Sequence, residues 1–217
     1  MDTRLHDTIV ALVRPVIETL GLDLWGLEFG ASGHRTVLRI YVDAPRDLEA
    51  ETRAVASQLA RESAPAQDRD TDYVWERDEK TSDAPEAAPL VFDQAGVTID
   101  QCAKVSRHIG LTLEVEDVVP GAYTLEVSSP GFERPFFTPA QMGPYAGREL
   151  AVTLHNPLGD PFPGRKKLTG VLAAAPDEKG AFTLAVEGHD ITISWQDVKK
   201  ARLVHRFDDE NKKKPGK

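Results

Sequence analysis

Between Tyr123 and Phe136 the chain reads YTLEVSSPGFERPF, a stretch that leaves the backbone little freedom. Tyr123, Leu125 and Val127 fall on one face and Thr124 and Glu126 on the other, the period of a half-buried strand. Pro130 presets φ at the second position of a turn, and Gly131 accepts the positive φ that a type II turn requires at the third. Pro135 fixes the backbone again just after Arg134. Any fold for this chain must therefore end a strand on a stiff loop that carries Ser128, Ser129 and Arg134. Binding groups often sit at such places, although a well-made turn with no ligand has the same sequence.

The flanking sequence supplies the partners of that strand. Leu5, Ile9, Leu12, Val16 and Leu20 recur at helical spacing over residues 3–20, with Pro15 inside the pattern and Gly21 as a stop. Residues 23–30 and 36–43 read as two strands of a hairpin, and in the second Leu38, Ile40 and Val42 share a face while Arg39 and Tyr41 point the other way. Thr98-Ile99-Asp100-Gln101 has the form of a capping box. It opens a helix whose apolar face is Ile99, Cys102, Val105, Ile109 and Leu113. Helix, strand, strand, helix, strand predicts two helices on one face of a three-stranded sheet. Beyond residue 146, five short strand-like runs separated by Asn156–Gly164, Pro176–Gly180 and Gly188–Asp190 predict a small barrel. The fold class is α+β: residues 1–137 as a two-layer α-β-β-α-β domain, 138–146 as a Pro/Gly linker, 147–207 as the β-barrel, and 208–217 as a flexible basic tail.

Residues 44–95 break the pattern. They carry six basic and thirteen acidic side chains, with proline-bearing polar runs that have little to bury, so a partly disordered acidic insertion is expected. A short helix fits around 46–62. Tyr73, Val74 and Trp75 form an isolated apolar cluster within this stretch, and docking of that cluster on a partner or on the protein's own surface is the alternative to a partly disordered insertion. Residues 146–217, with thirteen basic and ten acidic side chains, are the only part with a positive balance, although the whole chain is at −9. No apolar run approaches a membrane span. The MDTRLHDT start lacks an export signal. A single cysteine, Cys102, excludes an intramolecular disulfide and suits a cytoplasmic protein.

The chemical motifs exclude more than they assign. Ser128 or Ser129 as a nucleophile would need a base and a strained elbow, and Ser-Ser-Pro-Gly lacks the Gly-x-Ser-x-Gly pattern. The six histidines show no ligand spacing; His108 reads as a residue near a helix end, and Cys102 as core. No phosphate-binding loop or dinucleotide fingerprint is present. No catalytic residue, cofactor or metal is expected. Arg165-Lys166-Lys167 beside a Pro/Gly turn, with Phe162 as a stacking face, and Lys199-Lys200 late in the chain are candidates for phosphate contact. Short basic runs of this kind are as readily plain solvated surface.

SSPG followed by Arg-Pro resembles the signature segment of the bacterial ribosome maturation factor RimP family. The resemblance extends through GLDLWGLEFG and TVLRIYVD (21–30 and 36–43), GVTIDQCAKVSRHIG (96–110), KKLTGVL (166–172) and DVKKARLV (197–204). It implies an Sm-like, SH3-type form for the barrel and a short crossing of the 44–95 gap in the family. It also implies a non-catalytic role in maturation of the small (30S) ribosomal subunit, as a cytoplasmic monomer. The partners implied are immature small-subunit particles, their rRNA and a ribosomal protein near the decoding region. The expected contact residues are Ser128, Ser129, Pro130, Gly131, Arg134, Arg165, Lys166, Lys167, Lys199 and Lys200. A general RNA-binding or translation-regulatory adaptor is the alternative.

Overall fold

The computed structural model describes residues 3–32, 35–62 and 96–206. The Tyr73–Trp75 cluster, most of the acidic insertion and the basic tail lie outside them. Helix α1 (Thr3–Thr19) runs through Pro15, and strands β1 (Asp23–Ser32) and β2 (Arg35–Asp43) pair antiparallel. Helix α2 (Leu48–Glu62) follows, then α3 (Ile99–Glu116) and β3 (Tyr123–Ser128), which joins β2 in parallel to give the order β1-β2-β3. Helices α1 and α3 cover one face of this sheet. Ile9, Val13 and Ile17 meet Val105, Ile109 and Leu113 over Leu38, Ile40 and Val42, all at most 1% exposed. The predicted two-layer arrangement is what forms.

The predicted capping box is present. Gln101 N donates to Thr98 Oγ1 at 3.2 Å, and Thr98 N donates to Gln101 Oε1 at 2.8 Å. Two details of that helix differ from expectation. Ile99, at the first helical position, is 87% exposed, and the fully buried positions of the helix are Val105, Ile109 and Leu113. His108 lies in mid-helix on the exposed side, since α3 continues to Glu116.

The chain enters its second sheet immediately after Arg134. Strand β4 (Pro135–Phe136) is followed by a 3₁₀ helix, Pro139–Tyr145, and then β5 (Glu149–Leu154), β6 (Lys167–Ala174), β7 (Ala181–Val186), β8 (His189–Ser194) and β9 (Val198–Leu203). The stretch read as a linker is thus a buried helical turn, with Gln141 to Tyr145 all inside. Pro139 and Pro144 suit a short 3₁₀ segment, and the composition that signals a break says nothing about burial. Strict alternation in β5 and β7 places Leu150, Val152, Leu154, Phe182, Leu184 and Val186 on one buried face.

The expected closed barrel is not what the hydrogen bonds make. The order is β4-β9-β5-β6-β7-β8, and among the described residues no ladder joins the two ends. The physical reason lies in the edges. Strand β4 is two residues long and pairs with β9, while β8 passes into β9 through the 3₁₀ turn Trp195–Asp197 instead of a hairpin. The open sheet still closes a core, because Met142 and Tyr145 of the 3₁₀ helix, Val55 of α2 and Trp25 of β1 pack on its buried face.

Candidate nucleic-acid interface and interdomain cleft

Trp25 reaches that second core by a defect in β1. Leu24 pairs with Val42 and Gly26 with Tyr41, so Trp25 is the extra residue of a β-bulge. The bulge lets consecutive apolar residues serve two cores: Leu24 packs under the helices and Trp25 packs against the second sheet. Its indole N–H donates to Pro135 O at 2.7 Å, and Gln141 Nε2 donates to Trp25 O at 2.6 Å. Gln141 Oε1 in turn accepts from Phe137 N and Thr138 N. Gly26 has to be glycine here, since a Cβ would stand 2.1 Å from Phe137 Cδ2.

Around Trp25 lies a charged network that the sequence did not disclose. Asp43, 7% exposed, accepts from Arg134 Nη1 at 2.8 Å, and Arg46 Nη1 is 3.7 Å from the same oxygen. Arg46 forks onto Glu51 and donates to Tyr145 Oη at 2.8 Å. Arg134 lies over the Trp25 ring at 4.8 Å. Burial works against the Arg46 charge, yet the hydrogen bonds to Glu51 and Tyr145 outweigh it and hold the guanidinium more firmly protonated than usual. Arg134 is therefore engaged inside the protein. The residues around it leave a cleft of about 600 Å³ between α2, the SSPG loop, the 3₁₀ helix and the end of β9.

The SSPG residues separate. Gly131 has φ +65°, as the type II reading requires. Pro130 is buried, Ser129 and Gly131 line the cleft, and Ser128 is exposed beside Tyr41. No group of three His, Cys, Asp or Glu side chains that could hold a metal occurs among the described residues. Cys102 is half-buried, and burial pushes its thiol pKa up, away from reactivity.

The basic candidates are brought together by pairing through β5. Thr153 stands opposite Lys167 on one side and Lys200 on the other, and Ala151 opposite Thr169 and Arg202. These rows form the outer face of the sheet, with small side chains between exposed cations. Lys199 is the extra residue of a bulge beside Thr153 and is exposed as well. Lys200 lies 3.8 Å from the half-buried Glu28, and Arg202 3.2 Å from the exposed Glu133. Such pairs are weak and exchangeable. Arg165 is less available, since it pairs with Glu187 at 2.8 Å and stacks on Phe162 at 4.8 Å. The Phe162 face expected to receive a base is thereby occupied. Lys166 Nζ donates to His155 O at 3.0 Å.

On the opposite side of β1, β2 and β3 from the helices, Glu28, Arg39 and Glu126 form one cross-strand row. Arg39 Nε donates to Glu126 at 2.5 Å. Tyr41 Oη donates to Glu28 at 3.1 Å. Burial and the Glu28 charge push the Tyr41 phenol up to about 12.

A family model described as the RimP N-terminal domain matches residues 12–70 and 90–133. A ribosome maturation factor RimP from Nitratidesulfovibrio vulgaris is 39% identical over 94% of this chain and 92% of its own length. The chain belongs to the RimP family. RimP proteins of Desulfovibrio desulfuricans and Lawsonia intracellularis are 36% and 35% identical, over 100% and 96% of this chain and 85% and 91% of theirs. The family-model match runs to residue 70 and resumes at 90, and so takes in α2, which forms where a short helix around 46–62 is expected. That match ends at Glu133, two residues before β4 enters the second sheet.

Proposed function

We propose that this protein is a maturation factor for the small ribosomal subunit that acts by binding immature particles, without covalent chemistry. The observation that carries this is identity of 39% along nearly the whole chain to a protein named as a ribosome maturation factor. The geometry supports a binding mode. Lys167, Lys199, Lys200 and Arg202 present an exposed cationic sheet face whose small central residues, Ala151 and Thr153, let a phosphodiester backbone approach. Arg165 and Lys166 extend its margin, while Ser128, Ser129, Pro130 and Gly131 shape a second surface held in place by Arg134. Immature small-subunit rRNA is the partner of the cationic face, and a ribosomal protein near the decoding region that of the acidic first sheet. The protein works as a cytoplasmic monomer in which the second sheet serves as an Sm-like module.

Sedimentation of the purified chain with immature small subunits, mature small subunits and large subunits tests this reading. Selective co-migration with the immature particle is expected. Equal association with all three, or with unrelated RNA, would replace it by a general RNA-binding adaptor.

A further inference from the structure

The first sheet ends on a strand whose outer side is open. Strand β3 pairs with β2, and among the described residues no other backbone–backbone hydrogen bond involves Tyr123 to Ser128. Its apolar face is also incomplete. Tyr123, Leu125 and Val127 are each half-buried, whereas Leu38 and Ile40 of the neighbouring β2 are fully covered. The edge strand β8 of the second sheet differs in this respect, since its Ile191 and Ile193 are buried. The other edge of the first sheet, β1, is interrupted by the Trp25 bulge, a device that blunts an edge. An unpaired row of N–H and C=O groups beside unfinished apolar side chains is the geometry that accepts an added strand.

Helix α3 leaves room for one. It runs along β3, with Cys102 against the Ser129 backbone at one end. Farther along, a Cβ on Gly110 would stand 3.9 Å from Leu125 Cδ2. Burial and the Glu114 charge push the Tyr123 phenol up, which sets Glu114 beside that ring at the other end. Ile99 and Ala103 share a helical stripe with Gly110, and both are exposed. A strand laid outside β3 would meet small side chains at Ala103 and Gly110 and would take Ile99 out of water.

Charge selects the occupant. On the sheet face away from the helices, a cross-strand row runs Glu28, Arg39, Glu126, and Lys200 lies 3.8 Å from Glu28 at its far end. The signs alternate, and the exposed Glu126 ends the row on the open side. Opposite charges directly across two strands stabilise and like charges destabilise. The position facing Glu126 on an added strand therefore suits Lys or Arg. At the Tyr123 end, the last turn of α3 carries Glu114 and Glu116, with Asp117 at its cap and no basic side chain. The same rule disfavours a second copy of this chain, which would bring two Glu126 side chains onto adjoining strands.

We propose that the β3 edge takes up an extended segment of a basic partner protein as a fourth strand. Lys or Arg stands opposite Glu126, and apolar residues stand opposite Leu125 and Val127. The inference rests on the reading that a ribosomal protein engages the first sheet, and states how it does so.

The test uses the full chain and two short synthetic peptides of alternating valine and lysine, one plain and one N-methylated along its backbone. Binding is followed by fluorescence anisotropy and by hydrogen exchange resolved by segment. The plain peptide is expected to bind and to slow exchange in residues 123–128. Methylation removes the pairing donors and keeps the charges, and should weaken binding more than about 10-fold. Glu126→Lys should weaken the lysine peptide by roughly 2- to 10-fold and favour a valine–glutamate peptide in its place. No binding of the plain peptide, equal binding of the methylated one, or protection in β1 or β8 instead of β3 would overturn the proposal. So would a wild-type dimer that the peptide dissolves. Co-sedimentation with immature small subunits is scored separately. Selective co-migration with failure of the peptide arms removes the strand site and leaves the maturation reading standing; peptide binding at β3 without selective co-migration does the reverse.

Discussion

Arg134 offers the sharpest test of how this molecule is built, because sequence and structure give it different work. A loop arginine after a rigid turn suggests a group held out to a partner. In the structure its side chain is 17% exposed, its guanidinium donates to an Asp43 carboxylate that is itself almost fully buried, and its plane covers Trp25. Removing one partner of a buried pair costs about 3–5 kcal/mol, because the other charge is left uncompensated. Two contacts soften the loss here: Ala44 N donates to Asp43 at 3.0 Å, and Arg46 lies 3.7 Å away. Loss of the stack on Trp25 adds about 1 kcal/mol. Arg134→Ala should therefore destabilise by about 3 kcal/mol, Asp43→Asn by a similar amount, and the double variant by clearly less than their sum. A coupling of about 1.5–3 kcal/mol is expected from urea unfolding of the four proteins. Hydrogen exchange resolved by segment should show that Arg134→Ala loosens the contact between the two sheets before either sheet opens. Arg134→Lys, which keeps charge but loses the planar fork, should fall between. A coupling below about 0.5 kcal/mol, with particle binding lost and stability kept, would refute the structural assignment and restore Arg134 to the partner surface.

Three further outcomes follow from named contacts. Gly26→Ala should destabilise by about 1–3 kcal/mol or more, because the new methyl meets the Phe137 ring at 2.1 Å; adding Phe137→Ala should recover part of the loss in thermal unfolding. Tyr41 titrates higher folded than unfolded, so its contribution is fully present below about pH 10 and is lost as pH rises toward 12. Tyr41→Phe should make stability less steep across that window, as followed by urea midpoints beside phenolate absorbance. Lys167→Glu with Lys200→Glu should reduce the slope of log affinity against log salt for single-stranded RNA by about 1.4, the value for two lost phosphate contacts. An unchanged slope would remove this pair from the interface.

What could be read from the sequence was whatever its own neighbourhood decides. Thr98 and Gln101 cap a helix three residues apart, and Tyr123 to Val127 alternate as a strand whatever lies elsewhere, so both were legible. The basic groups at 165–167 and 199–200 were visible as composition, but only the antiparallel register through Thr153 sets Lys167 and Lys200 on one face. The interface between the sheets was not legible because its partners are remote. Asp43 meets Arg134 ninety-one positions away, and Trp25 meets Pro135 one hundred and ten away. A trace of the bulge was present, since Leu24-Trp25-Gly26 interrupts the alternation of the first strand. Nothing local says that the interruption serves a second core, or that Gly26 is kept small by Phe137.

That interruption decides how the two proposed surfaces behave together. Swinging one sheet away from the other requires pulling Trp25 out of the second core, along with the hydrogen bonds at both ends of its residue. An indole of this kind buries about 200 Å², worth about 5 kcal/mol at 25 cal/mol per Å², before the charged network is counted. An open arrangement is then populated at less than about one part in a thousand. The default expectation of mobile domains joined by a modest polar contact does not apply. The cationic face and the β3 edge are consequently presented at one fixed spacing, and a particle that engages both, through rRNA and through a protein segment, is selected by that spacing. A protein that recognises a transient stage of assembly gains discrimination from this rigidity, since an arrangement that offers only one of the two contacts cannot be accommodated by hinge motion.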